Sequence, residues 1–448
     1  MTGSGGARLW HNRAFLMLWV GQTVSLLGSQ VTALALPLTA VLVLHADAAQ
    51  LGLLGALQTA PFLPAGLAAG VLADRVRRRP VLVAADTARA FLLASIPLAW
   101  SLGALHLPQL YVVALLAGTL RMFFNVAYSA YLPSLVARER LVEGNSKLGL
   151  SASIAEVAGP GLAGALVALA TAPVAIVVDA ASFLASALSL ALIRTPEAPA
   201  RARSAERGTR NYEGMGPRCA VPRVPVPRSA LRAPRLGAGV WRELREGLVL
   251  IWRQASLRAI TGYSLLMNLF FQAIQAIFVL YVTRDLRLSP ALFGVILMAS
   301  SVGSLLGALL VPVLTRRIGP GPALLAGAGC YGVGALAIPL ATRPPLQALG
   351  VLLPAWGLIG VGNGLSNIIS VSLKQLMIPD RLLGRASASG MAVGWGAAPL
   401  GALLGGALGQ ALGLRAALLL AALGTLSGVL WLACSPLRTL REPPQPIA

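Results

Sequence analysis

The sequence predicts an all-α membrane protein: twelve transmembrane helices in two pseudo-symmetric six-helix bundles. Three observations predict it. Of 448 residues, 56% are hydrophobic and only 11% charged, far below the roughly one quarter carried by soluble domains. The apolar residues gather into twelve runs of about 20 residues or more, the length a bilayer demands of a helix. The basic residues between those runs alternate from side to side.

The runs lie at 15–44, 50–73, 80–102, 109–132, 147–170 and 172–193, then at 259–283, 290–314, 321–341, 346–373, 386–412 and 414–434. They are too long for barrel strands and lack strict alternation, so they read as helices. The first run follows a short polar segment with Arg8 and Arg13. It exceeds a signal-peptide core and reads as an uncleaved span.

The chain carries 36 basic and 15 acidic residues, a net charge of +21. In a soluble protein that excess would suggest nucleic acid. Here it sorts by side. With both termini cytoplasmic, the cytoplasmic segments hold 30 of the 36 and the external loops four, while Arg89 and Arg121 fall inside spans. This is the positive-inside pattern. It predicts a multi-pass membrane protein with both termini cytoplasmic and removes nucleic acid as a partner.

Fourteen arginines lie between Arg194 and Arg258, a cytoplasmic linker that divides the chain. The expected domains are bundles at 1–193 and 259–434, the linker at 194–258 and a tail at 435–448. The middle of the linker, 199–234, is rich in Arg, Pro, Gly and Ser and reads as disordered. Over 239–253, Trp241, Leu244, Leu248, Ile251 and Trp252 recur at helical spacing among Arg242, Arg245 and Arg253. That pattern predicts an amphipathic helix on the inner leaflet, its arginines toward anionic lipid headgroups. A plain connector near the membrane is the alternative.

Enzymatic chemistry finds no residues to carry it. Cys219, Cys330 and Cys434 have neither metal-ligand nor disulfide spacing. His11, His45 and His106 form no H-E-x-x-H, and neither lysine lies in a phosphate-cradling Gly-rich loop. No cofactor, metal or catalytic residue is expected.

Between spans 2 and 3 the chain reads G-V-L-A-D-R-V-R-R-R-P from Gly70 to Pro80. This resembles the G-x-L-A-D-R-x-G-R-R loop of the major facilitator superfamily, with Arg77 where that family has Gly. Gly70 permits close helix approach. Asp74 suits the orphan amides of a helix N-terminus, with a target at residues 384–387. The resemblance implies that Gly70, Asp74, Arg75, Arg78 and Arg79 form a gating motif that locks the cytoplasmic face while the outside is open. A solvated loop serving topology alone is the alternative. The equivalent loop between spans 8 and 9 keeps Arg316, Arg317 and Gly319 but has no acid, as in a degenerate internal repeat.

In span 5, Gly159, Pro160 and Gly164 resemble the G-P-x-x-G-G helix-kink signature of proton-coupled exporters, with Ala163 at the first paired glycine. Residues 130–136, 141–147, 179–184, 245–258, 375–385 and 399–406 are similar to the branch holding bacterial siderophore (enterobactin) exporters and macrolide-efflux proteins. The resemblance implies secondary active transport by alternating access in the bacterial plasma membrane, with proton-coupled efflux of a small amphipathic drug, macrolide or siderophore. An importer of a small nutrient and a non-transporting receptor or scaffold are the alternatives.

Five ionisable residues fall inside the spans, all in the first half: Asp86, Arg89, Arg121, Glu156 and Asp179. Each costs a few kcal/mol unless paired or wetted. Asp86 and Arg89, at i and i+3, suit a local pair, and Asp179 suits structural hydrogen bonding. Arg121 and Glu156 lie ~18 and ~14 Å along sequence-adjacent helices, near the midplane. Glu156 is therefore the expected proton carrier, with Arg121 competing for its charge and Asp86 a further coupling candidate. A static Arg121–Glu156 ion pair is the alternative.

Uncharged polar residues mark an expected substrate path: Gln22, Ser25, Gln30, Asn125, Asn268, Gln272, Gln275, Asn363, Ser366 and Asn367. They fall on spans 1, 4, 7 and 10, which the resemblance places along the path. Phe270, Phe271 and Trp356 are candidates for apolar lining. With the second half read as nearly free of buried charge, the expected substrate is bulky, amphipathic, and weakly basic or neutral. The chain is expected to work as a monomer.

Overall fold

The computed structural model describes Leu9 and residues 12–62, 77–136, 140–193, 238–378 and 380–441. The first bundle comprises α1 (Arg13–Leu42), α2 (Ala48–Thr59), α3 (Arg78–Ser101), α4 (Leu107–Leu135), α5 (Leu141–Ala170) and α6 (Ala172–Leu192). Helix α7 (Ala238–Arg253) precedes the second bundle of α8 (Ala255–Leu280), α9 (Pro290–Ile318), α10 (Pro320–Ala337), α11 (Pro345–Met377), α12 (Asp380–Leu412) and α13 (Leu414–Ala433). Among the described residues, eleven helices are long and apolar enough to cross a membrane. Helix α2 is described over 12 residues, and the rest of its apolar run lies outside the described residues, as does the linker segment 199–234.

Short polar devices set the helix ends. Asn12 Oδ1 accepts from the amides of Ala14 and Phe15 at the start of α1. Asp47 and Gln50 form a reciprocal capping box on α2, at 2.8 and 2.9 Å, satisfying two amides that the helix itself leaves orphaned. Between α9 and α10 the chain turns at Gly319 with φ +88°, a conformation in which a Cβ would collide with its surroundings. There the side chain it lacks would stand 2.5 Å from the Cα of Arg441. Spans reach further than the hydropathy runs where polar residues continue the helix: α5 starts at Leu141 and α11 continues to Met377.

Contacts between helix ends assign the two faces. Asn12 Nδ2 donates to the Leu135 carbonyl at 3.1 Å, joining the start of α1 to the end of α4. Trp431 Nε1 donates to the Ala259 carbonyl at 3.1 Å, joining the start of α8 to the end of α13. The Gly321 amide donates to Leu440 of the C-terminal segment at 3.0 Å. These ends share the face that holds both termini. On the opposite face, an Arg284 guanidinium N–H donates to the Ala46 carbonyl at 2.9 Å and ties the bundles together.

The bundles also meet along two helix seams. Helix α2 crosses α12 and α5 crosses α9, in each case near the face away from the termini. A Cβ on Gly52 would lie 2.7 Å from the Ala402 carbonyl oxygen, and one on Gly164 would lie 2.5 Å from the Pro290 carbonyl oxygen. Both seams therefore need glycine, which lets backbones approach to a distance that any side chain would prevent.

Candidate substrate cavity and buried charge network

A cavity of about 460 Å³ lies between the bundles, and most of its wall comes from the second. Helix α8 supplies Ser264, Asn268 and Gln272, while α11 supplies Asn363, Asn367 and Lys374. Among the described residues, Glu156 of α5 is the acidic group on the lining. The rest is mainly Met and aromatic: Met267, Phe271, Tyr331, Met391 and Trp395. An apolar enclosure with a few convergent polar groups is the usual character of a small-molecule site.

Several of these groups are fixed by their neighbours. Asn268 Nδ2 donates to the Ser264 carbonyl one turn back, at 2.8 Å, which leaves its Oδ1 for a ligand. The Tyr263 hydroxyl donates to Ser366 Oγ at 2.9 Å, joining α8 to α11 on the cavity wall. Phe271 meets Tyr331 edge-on with centroids 6.0 Å apart, an arrangement ring quadrupoles favour. Phe62, in the 3-10 turn Ala60–Phe62 that follows α2, stacks on Trp395 of α12 at 5.4 Å and 12°, so one aromatic contact on the cavity wall spans both bundles.

The polar residues expected along a substrate path separate into two groups. Gln272, Asn363, Asn367, Asn268 and Ser366 line the cavity together with Glu156. Gln22 and Ser25 are buried within the first bundle, and the Gln30 side chain packs against Gly159. Asn125 and Gln275 are exposed. Of the aromatic candidates, Phe271 lines the cavity. Phe270 instead packs on Gly424 of α13. Trp356 is only 2% exposed and stacks against Phe278 at 4.7 Å, a packing role.

Two expectations need correction. Arg121 and Glu156 form no ion pair, because α4 and α5 follow one another in sequence without packing together. Helix α4 lies against α3 and α2, whereas α5 lies against α1 and α9. Asp179 of α6 is the acid whose charge acts on Arg121. The second half also carries a charge within its spans: Lys374 belongs to α11 and reaches the cavity.

Of the remaining intramembrane charges in the first bundle, Asp86 and Asp179 are buried, Arg89 is half-buried and Arg121 is exposed. Asp86 is 0% exposed, with its Oδ1 3.7 Å from Arg89 Nη1. The Arg89 guanidinium lies 3.7 Å from the centroid of Phe183, a cation–π contact strengthened by the absence of water. Asp179 is 1% exposed and accepts from Ser182 Oγ at 3.1 Å. Its charge acts on both Arg89 and Arg121. Asp86 and Arg89 thus pair within α3, and none of these four residues lines the cavity, where Glu156 stands.

The motif residues occupy structural positions where they are described. Gly70, Asp74, Arg75 and the side chains of residues 384–387 lie outside the described residues. Arg78 opens α3. Arg79 donates to the carbonyls of Leu190 and Ala191, capping the last turn of α6, where a cation offsets the helix dipole. Gly159 contacts Gln30 of α1 and Gly164 contacts Gly294 of α9. Pro160 offers its carbonyl to the same contact with Gly294, so the Gly-Pro signature lies on a seam between bundles.

The family model for the Major Facilitator Superfamily matches residues 18–394 and 263–447. The multidrug efflux pump Tap of Mycolicibacterium fortuitum is 27% identical over 353 residues, covering 77% of each chain. Tap of Mycobacterium tuberculosis is 27% identical over 440 residues and covers 96% of each. Among solved structures, the nucleoside transporter NupG aligns with a TM-score of 0.68 at 14% identity, covering 94% of this chain and 98% of its own. A bacterial homologue of the iron transporter ferroportin aligns at 0.66 with 19% identity, covering 96% and 99%. With two glycine seams around a central cavity and a family match that runs through both bundles, the chain belongs to the Major Facilitator Superfamily and is a small-molecule transporter, not an enzyme.

Proposed function

We propose that this chain is a proton-coupled exporter of small amphipathic molecules in the bacterial plasma membrane, with both termini cytoplasmic. The observation that carries the reading is Glu156: a carboxylate on the cavity wall, opposite Asn268, Gln272, Asn363 and Asn367, with no ion pair to Arg121. The likeness to proteins named multidrug efflux pumps supports the direction and the substrate class. The mix of amides, methionine and aromatic rings on the lining suits amphipathic compounds, the class to which many drugs, macrolides and siderophores belong.

In this reading the contacts away from the termini close the outside, and the cavity faces the cytoplasm. Glu156 gives up its proton to that side, and the carboxylate with its amide neighbours takes the substrate. The bundles then rock about the α2–α12 and α5–α9 seams. A proton from outside neutralises Glu156 and the substrate leaves. One proton driven by 100 mV supplies ~2.3 kcal/mol, enough for a gradient of roughly 50-fold in a neutral solute. Gly70, Asp74 and Arg75 serve the opposite, outward-open state as its cytoplasmic lock. The chain works as a monomer, and α7 lies on the inner leaflet with its arginines toward anionic headgroups.

The test of direction is accumulation of a labelled amphipathic dye in intact cells with and without the protein. Lower accumulation with the protein supports export. Higher accumulation identifies an importer, and equal accumulation across a drug and siderophore panel identifies a receptor or scaffold.

A further inference from the structure

Helix α7 does not lie flush against the second bundle. A groove of about 570 Å³ runs between it and helices α8, α12 and α13. Leu265 lines one end and Trp431 the side wall, and Gly262 makes room for the indole: a Cβ there would stand 2.7 Å from the Trp431 ring. The same indole is held by its hydrogen bond to the Ala259 carbonyl at 3.1 Å. At the other end stand Arg245, Arg253 and Arg258, all exposed, and among the described residues no acidic side chain lines the groove. Arg258 is steadied by donating to the Trp252 carbonyl at 3.2 Å, with its guanidinium 6.0 Å from the Trp252 ring.

The groove has a polarity that runs along the bundle axis. Arg258 is in the first turn of α8, and Leu265 is seven residues on, ~10 Å deeper at 1.5 Å per residue. Cationic forks thus sit where α8 enters the membrane, and the apolar end points to its interior. Guanidinium groups match phosphate oxygens in geometry as well as charge, and the apolar end suits a hydrocarbon chain.

We infer that this groove binds one anionic phospholipid from the leaflet on the side of the termini. The phosphate lies at Arg253 and Arg258, and an acyl chain runs past Trp431 to Leu265. The inference rests on the reading that α7 lies at an anionic membrane face, and goes beyond it by assigning a single stoichiometric site. Helices α7 and α8 both pack on α12, which also crosses α2 at a seam. Lipid in the groove therefore braces a helix that takes part in the alternation.

The test is native mass spectrometry of the full-length protein in mild detergent, with phosphatidylglycerol or phosphatidylcholine of matched chains. The expected result is one phosphatidylglycerol per chain, retained about tenfold better than phosphatidylcholine. Arg253→Gln with Arg258→Gln brings the two lipids level. Leu265→Trp, which fills the deep end, removes the retained lipid. If that variant does not fold, dihexanoyl phosphatidylglycerol replaces it as the probe and is retained about tenfold less than the long-chain lipid. Full retention by Leu265→Trp, or of the short-chain lipid, overturns the groove and leaves the headgroup reading of α7 standing. Unchanged selectivity in the arginine variant overturns both. Equal retention of the two lipids, with both displaced by a neutral amphipathic dye, assigns the groove to substrate instead.

Discussion

Gly164 of α5 and Gly294 of α9 lie so close that a Cβ on either would fall 3.0 Å from the Cα of the other. This contact belongs to one of the two seams on which the bundles meet, and it has no room for a side chain. Gly164→Val should destabilise the chain by about 1–3 kcal/mol, the usual cost of overpacking a tight contact, and should abolish transport. Gly149→Ala is the control, because nothing lies within 4 Å of a Cβ there. Thermal unfolding in detergent and dye efflux read the two variants, with Gly149→Ala close to wild type in both.

Arg79 separates a topological charge from a structural one. Its guanidinium reaches two carbonyls at the end of α6, a geometry that an ammonium cannot reproduce. Arg79→Lys keeps the positive charge that orients the loop yet should lose about 1–2 kcal/mol, the worth of a charged hydrogen bond. Equal stability of Arg79→Lys and wild type in a denaturation series would mean that the residue serves topology alone.

The Asp86–Arg89 pair is buried, so removing one partner strands the other. Asp86→Asn and Arg89→Gln should each cost about 3 kcal/mol. The double variant should cost clearly less than the sum, with a coupling of about 1–3 kcal/mol. Additive losses in the double-mutant cycle would show that the two side chains do not depend on each other.

The bilayer made much of this fold legible, since its demand for long apolar helices acts on composition over long stretches. Eleven apolar runs emerge as long helices, and the Arg-rich region between bundles ends in α7 as the helical spacing of Leu248, Ile251 and Trp252 implies. Spatial partnership was harder to read. Arg121 and Glu156 are neighbours along the chain and near one depth, yet α4 and α5 pack on different helices. The Glu156 side chain reaches the cavity, while Arg121 lies outside its lining. Lys374 was hidden by its place near a helix end, where a basic residue looks like a topology charge. Gln272, Asn363 and Asn367 stood out as amides in apolar spans. Gln22 and Gln30 looked the same but face into their own bundle, because helix rotation is set by packing and leaves no mark on hydropathy. Tyr331 and Trp395 have the amphipathic chemistry of both core and cavity, and only the fold separates those roles.

Lys374 gives the cavity a positive charge beside its amides, which disfavours cationic substrates near the end of α11. Lys374→Gln should shift selectivity several-fold toward cationic dyes over neutral ones of similar size. Efflux rates for matched cationic and neutral dyes in the same vesicles measure it, and a parallel change in both would leave Lys374 outside substrate selection.

The central claim is that Glu156 couples proton flow to substrate movement, and proteoliposomes with an imposed pH gradient test it most directly. Wild type should transport dye against its gradient while an internal pH indicator reports proton counterflow. Glu156→Gln should lose the pH-driven component and the proton signal, retaining only downhill exchange of dye. Proton-driven accumulation by Glu156→Gln at the wild-type rate would contradict the account.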